Sequence, residues 1–381
     1  MVLPSLIILK HMENSIKYLQ YPSTRDVVFV FGAGASHPDG VPLQRHILPM
    51  ILNDEEIANS DIGKTVIQFI KDNFAFDPIT NDYPHLESVF LFLDHFIQQN
   101  ESLSKTYTNS AIHKIKEYLI KLIHFIVNNE SSTSKSTYHK FWDAVEKYNS
   151  NISIITLNYD TLLEQAFEFM YERVGYIDYS FHLMNYNKSD ELKYFNFWLD
   201  PRQPIHAKVG SNPVPFKLIK LHGSLNWKYC NCCNQTLLTP WDREVDLNKG
   251  KLTWYSEKSK ASYEYVCPLD GTDFETLILT PSFAKNINRQ VITQLLSEAG
   301  REIRAAKKIV FIGYSFSNAD VHVRALFKKH LQHETEVVVL NPRLTKSLEL
   351  KYQSIASNVE FVSSSFENFV VDEKLMKNIL S

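Results

Sequence analysis

The sequence predicts an α/β protein: a doubly wound, Rossmann-like parallel sheet interrupted by a large helical insertion and a small cysteine-bearing one. Three observations predict it. Short, continuously apolar runs recur along the chain and alternate with segments of helical period. Each run closes on small or polar residues, as buried parallel strands do where they open onto a crevice. Glycine is scarce, 11 in 381 residues, yet several glycines sit at those closing positions.

Taken in order, residues 1–25 read as an N-terminal arm, amphipathic and ending at Tyr21-Pro22-Ser23. Asp26 to Phe31 is a buried strand followed by Gly32-Ala33-Gly34-Ala35-Ser36. From about Asp54 to Tyr148 the period changes. Leu86, Val89, Phe90, Leu93, Phe96 and Ile97, and later Ile112, Ile115, Leu119, Leu122, Ile123 and Ile126, fall at helical spacing, so 54–150 is a helical insertion. Strand character returns at Ile152–Leu157, closing on Asn158-Tyr159-Asp160, and a helix is expected over Thr161–Glu172. Phe216–Leu221 is a strand closing on His222-Gly223. Residues 227–271 are polar, hold all four cysteines and read as a small insertion. A strand at Thr276–Leu279, a helix over Gln290–Ala306, a strand at Lys308–Ile312 closing on Gly313-Tyr314-Ser315, a helix over Asp320–Leu331, and strands at Glu336–Leu340 and Val359–Val362 complete the domain of 26–381.

Composition excludes several classes. Apolar residues make up 44% and charged residues 22%, as in ordinary globular proteins. A formal charge of −3 argues against a protein that wraps nucleic acid through a basic face. No apolar run is long enough to span a bilayer. The run Val2–Leu9 lacks the basic flank and cleavage site of a signal peptide. Three of the four cysteines crowd into Cys230, Cys232 and Cys233, unlike a secreted disulfide framework, so the cytoplasm is the expected address.

Chemistry is sought at the strand ends. Gly32, Ala33 and Gly34 would let a diphosphate approach main-chain N–H groups, with Ser36 adding a hydroxyl; a tight strand-to-helix turn explains the same residues. Asn158 and Asp160 would point into the crevice, although Asp160 could equally cap the next helix. His222 could serve as a general base near neutral pH. Gly313 and Ser315 repeat the small-polar theme, and Asn341 either meets a ligand or makes an Asn-Pro turn.

Together these blocks resemble the sirtuin family, specifically bacterial sirtuin-like domains. Gly32-Ala33-Gly34-Ala35-Ser36 with Gly40-Val41-Pro42 is similar to that family's Gly-Ala-Gly-x-Ser…Gly-Ile-Pro loop. Thr156-Leu157-Asn158-Tyr159-Asp160 is similar to its Thr-Gln-Asn-Ile-Asp. Leu221-His222-Gly223 looks like its catalytic His-Gly, Gly313-Tyr314-Ser315 stands where it has Gly-Thr-Ser, and Asn341 where it has a ribose-binding Asn. The resemblance implies a fold of the sirtuin type and an NAD site. Gly32, Ala33, Gly34, Ser36, Arg45, Asp160, Gly313, Ser315 and Asn341 would bind NAD. Asn158 would orient the nicotinamide ribose or a water, Asp160 would hold the carboxamide, and His222 would accept a proton from a ribose hydroxyl.

Two departures redirect the implied chemistry. Sirtuin deacylases continue Gly-Ile-Pro with Asp-Phe-Arg, whereas this chain has Leu43-Gln44-Arg45, a polar side chain in place of the aromatic that keeps water off. After the cysteine insertion, Leu279–Lys285 shows no equivalent of the strand that pairs with acyl-lysine peptides. Both turn the expectation toward hydrolysis of NAD, as in sirtuin-like proteins of bacterial anti-phage defence. Such an enzyme would work as a homo-oligomer, through the helical insertion and the arm, with a separately encoded HerA-type ATPase as partner. An NAD-dependent protein deacylase and a non-catalytic NAD or ADP-ribose binding module are the alternatives. Family members hold zinc on two Cys-x2-Cys pairs. Here the second pair is Cys267-Pro268-Leu269-Asp270, so a metal-free insertion is favoured; three sulfurs with Asp270 or Cys232 stay open as a tetrahedral set.

Overall fold

The computed structural model describes residues 14–131, 136–170, 173–184, 198–199, 204–208, 212–239, 244–253, 267, 269–282 and 287–381. The first thirteen residues of the expected arm, the helix end at Glu172, the interior of the cysteine insertion at 240–243 and 254–266 with Pro268, and the stretch Phe283–Lys285 lie outside the described residues.

Eight strands form one all-parallel sheet. From one edge to the other they run Val359–Val362, Glu336–Leu340, Ala306–Ile312, Arg25–Phe31, Ile152–Thr156, Val214–Lys220, Gly175–Asp178 and Trp198–Leu199. The central strands are continuous apolar runs because helices cover both faces; Val28, Phe29, Val30 and Phe31 are fully buried. After Arg25–Phe31 the chain first builds the sheet in one direction and then crosses back to place Ala306–Ile312 on its other side. That reversal opens a crevice at the carboxyl ends of these two strands.

On one face Phe29 and Phe31 pack edge-on against Phe141 of the helix Thr137–Tyr148, and Phe366 of the helix Phe366–Val371 closes the group. On the other face the helix Gln290–Ala305 is tied to the sheet by ion pairs. Glu302 meets Arg25 at 2.7 Å and Lys217 at 2.8 Å.

Within 54–150 the chain forms helices Glu55–Asn59, Asp61–Asn73, Leu86–Gln99, Asn109–Glu130 and Thr137–Tyr148. Asp54, Ser60 and Thr108 cap the first, second and fourth by accepting main-chain N–H bonds. The cysteine-bearing part is a three-stranded antiparallel sheet in the order Glu275–Ile278, Gly223–Tyr229, Thr236–Leu238. It begins directly after His222, four residues earlier than the change in composition at Trp227. The described end of the arm, Asn14–Lys17, pairs antiparallel with Ile205–Lys208. Among the described residues no helix is long and apolar enough to cross a membrane.

Candidate active site

A cleft of about 950 Å³ lies at the carboxyl ends of the central strands. All the candidate residues line it except Gly32 and Ser36, which stand behind its wall.

The glycine loop is built differently from a simple phosphate cradle. Gly32 opens a one-turn helix, Ala33–Ser36, and its N–H bonds the carbonyl of Ile312 at 3.0 Å. The Gly34 N–H bonds the carbonyl of Gly313 at 2.9 Å, so it is not turned to a ligand. A Cβ on Gly32 would stand 2.6 Å from Tyr314 Cα, and one on Gly34 2.9 Å from Gly313 Cα. Gly313 itself adopts φ +62°. What approaches the backbone at Gly32 and Gly34 is therefore the main chain of the Gly313 loop. Two strand-end turns interlock, and together they make one wall of the cleft.

Ser36 is fully buried, which corrects its expected place as a donor facing the ligand. Its Oγ lies 2.9 Å from the Tyr138 hydroxyl and accepts a bond from Asn158 Nδ2 at 3.0 Å. The other bond from that nitrogen goes to the carbonyl of Gly32, also at 3.0 Å. Both amide protons of Asn158 are thus engaged with the glycine loop, and what the side chain can offer a ligand is its carbonyl oxygen, an acceptor. Tyr138 is completely buried. Burial, and next the Asp160 charge, hold its phenol well above the ordinary value, so it remains a neutral hydrogen-bonding group.

Asp160 lies one residue before the helix N-cap, Thr161, whose own side chain makes no cap bond. Its Oδ1 accepts the Leu162 N–H at 3.2 Å at the start of the helix Leu162–Phe167, and the residue lines the cleft. Beneath it, Lys220 donates to the Asp160 carbonyl at 2.5 Å and to Glu164 at 2.8 Å. Asn341 makes the Asn-Pro turn, its Oδ1 accepting the Arg343 N–H at 2.9 Å, while also lining the cleft. Arg45 and Arg343 are exposed cations on the same walls. Ser315 lines the cleft, and its carbonyl accepts from Lys351.

His222 is 5% exposed and lines the cleft. Gly223 must come next: φ is +78°, and a Cβ there would meet the Leu277 carbonyl oxygen at 2.0 Å. That turn swings the chain from the parallel sheet into the antiparallel one. His222 Nε2 lies 3.4 Å from Asp320 Oδ1 and 3.3 Å from His322 Nε2.

Tyr159 and Asp320, which line the cleft, and Tyr138 and His322, which contact Ser36 and His222, were not expected as site residues. Tyr138 is 102 positions from Ser36, and no local pattern points from one to the other. Asp320 and His322 carry a usable signal: they stand at the first helix start after the strand-end turn Gly313-Tyr314-Ser315.

In the small sheet, Cys230, Cys233, Cys267 and Asp270 come together, their donor atoms within 4.8 Å of one another. Cys233 Sγ lies 3.6 Å from Cys267 Sγ, and Cys230 Sγ 3.4 Å from Asp270 Oδ2. Of the two candidates for a fourth donor, Asp270 is the one grouped with the three sulfurs; Cys232 is exposed. The four cysteines are free thiols.

No curated protein matches the chain. Among solved structures, a Sir2 homologue in complex with NAD is similar at 15% identity, over 94% of this chain and 91% of that one, with a TM-score of 0.45. A Sir2 homologue mutant with ADP-ribose is similar at 14%, 93%, 92% and 0.43, and a Sir2 protein bound to a propionylated peptide at 14%, 94%, 95% and 0.43. The SIR2-like domain matches residues 152–355, more than half of the 381-residue chain, from the strand before Asn158 to past Asn341. The chain belongs to the SIR2-like domain family.

Proposed function

We propose that the protein is an NAD+ glycohydrolase, cleaving the nicotinamide–ribose bond to give nicotinamide and ADP-ribose. One observation carries this: Asn158 and His222, from two different strand ends, line one cleft that has the interlocked glycine turns as one wall and Arg45 and Arg343 among its lining residues. NAD+ as substrate suits that cleft. Two guanidinium groups complement a pyrophosphate. The amide nitrogen of Asn341 suits a ribose hydroxyl, and the Asp160 carboxylate suits a carboxamide.

Departure of nicotinamide leaves positive charge on the ribose, as in glycoside cleavage generally. The Asn158 carbonyl oxygen can accept from a ribose hydroxyl or an attacking water. The water adds its oxygen to the anomeric carbon, and its proton passes to His222. A positioned base contributes about 10²–10⁴-fold to such a step. Gln44 lines the same cleft, and a polar side chain there favours water as acceptor over an acyl-lysine. This favours hydrolysis over protein deacylation.

On the same reading, resting on the resemblance alone, the enzyme acts by depleting NAD+ in bacterial anti-phage defence. It does so as a homo-oligomer, held in check with a separately encoded HerA-type ATPase. The cysteine cluster has the donor chemistry of a zinc site, three thiolates and a carboxylate, and would hold the ion structurally. The test is incubation of the full chain with NAD+, with and without the partner, reading nicotinamide. Asn158→Ala and His222→Ala should each abolish release while the circular dichroism spectrum is kept. Release by His222→Ala at the unaltered rate would remove that residue as the base.

A further inference from the structure

The histidine at the strand end does not stand alone. Asp320 and His322 lie at the start of the helix Val321–His330, which comes after the Gly313 turn. Donor atoms of His222, Asp320 and His322 all fall within 4.8 Å of one another. Zinc-type ions bind imidazole nitrogen at about 2.0–2.1 Å and carboxylate oxygen at about 2.0–2.2 Å; in a tetrahedron, ligand atoms are then about 3.3–3.5 Å apart. The two measured edges are 3.3 Å between the Nε2 atoms and 3.4 Å from His222 Nε2 to Asp320 Oδ1. Both match.

Three further features fit a metal centre. His222 and Asp320 are buried, and His322 is half-buried. The Tyr314 hydroxyl donates to Asp320 Oδ2 at 3.1 Å, which turns Oδ1 toward the histidines; such outer contacts orient metal-binding carboxylates. And since His222 and Asp320 line the cleft, a fourth position would open onto it, as in sites that keep one ligand exchangeable.

The geometry points to a binding site for a divalent transition ion, of which zinc is the reference, formed by His222 and Asp320, which line the cleft, together with His322. Two imidazoles and one carboxylate favour zinc, iron, cobalt or nickel over calcium or magnesium. The site differs from the cysteine cluster in position and in donor type. A bound ion takes up the Nε2 lone pair of His222. On the NAD+ glycohydrolase reading, on which this consequence rests, the ion therefore inhibits cleavage.

The experiment is a titration of the full chain with Co²⁺, monitored by electronic absorption. Ions on the cysteine cluster show sulfur-to-cobalt charge transfer; ions on the cleft site show ligand-field bands without it. One equivalent of the second kind is expected. Its affinity should fall at least about tenfold in His322→Ala and about 10–100-fold in Tyr314→Phe, with any sulfur-bound band unchanged as the control for folding. The proposal is overturned if wild-type protein shows no such equivalent, or if His322→Ala binds it as tightly. Zn²⁺ should suppress nicotinamide release by wild type and do so at least about tenfold less potently in His322→Gln. If no condition yields nicotinamide, the glycohydrolase reading fails and the cobalt spectra still decide the metal site.

Discussion

Replacing Lys220 by Met tests the support under the cleft. Lys220 ends its strand at 1% exposure, and its partner Glu164 has no exposed side-chain surface. Burial raises the Glu164 pKa, and the Lys220 charge opposes that rise. Glu164 Oε1 also accepts a long bond from the Tyr179 hydroxyl at 3.4 Å, but Oε2 has no hydrogen-bond partner, so Lys220 is the only charge that compensates the carboxylate among the described residues. Without Lys220 a buried charge is left uncompensated and the Asp160 carbonyl loses its donor, a loss of about 3–5 kcal/mol. At about 1.2 °C per kcal/mol for a chain of this size, the melting temperature should fall by about 4–6 °C. A folded-state pKa above the unfolded value favours the protonated carboxyl in the fold. That contribution is complete below the ordinary value of 4.5 and is lost as pH rises through the folded value. The deficit of Lys220→Met should thus be greatest at neutral pH and shrink on acidification. Adding Glu164→Leu should recover more than half of it, because no charge then remains to be stranded. Thermal melts of the four proteins of this cycle across pH decide the matter. A deficit under about 1 kcal/mol, or one that neither acid nor Glu164→Leu relieves, would refute the reasoning.

Three other outcomes are expected. Ser36→Ala removes the hydroxyl between Asn158 and Tyr138; stability should drop by about 1–3 kcal/mol and nicotinamide release by about 10–100-fold, measured by denaturant melts and product assay. Asp178, held up at about 6 by burial despite bonds from Tyr21 and Ser180, should make the protein lose stability as pH rises from about 4 to 6. Asp178→Asn should flatten that slope, worth about 3 kcal/mol, in melts across that range. If the cysteine cluster holds zinc, a strong chelator should lower the melting temperature of wild type and leave Cys233→Ser, already lowered, unmoved.

The central strands were legible because a parallel strand covered on both faces must be apolar throughout, as Val27–Phe31 and Val337–Leu340 are. Gly223–Tyr229 was not, although Leu225, Trp227 and Tyr229 alternate with Ser224, Asn226 and Lys228. The polar set reads as exposed, yet all seven residues are buried. Ser224 and Lys228 find partners in the Tyr159 carbonyl and Thr276. Gly175–Asp178 was missed because four residues beginning with a glycine carry too little pattern. Most of the candidate site could be read because it lies at strand ends, where position alone selects residues. Its supporting groups could not. Tyr138 reaches Ser36 from the helical insertion, and His322 faces His222 only once the phase of its helix is fixed.

The mutual seating of the turns after Phe31 and Ile312 has an evolutionary corollary. Positions 32, 34 and 313 form a single unit of inheritance: a side chain introduced at any one of them has to displace the main chain of the opposite turn. No compensating change of side chain elsewhere can make that room. Variation in substrate preference among relatives that keep this seating should therefore be confined to the other lining residues, such as those at 44, 45 and 343, while the three bare positions are held together.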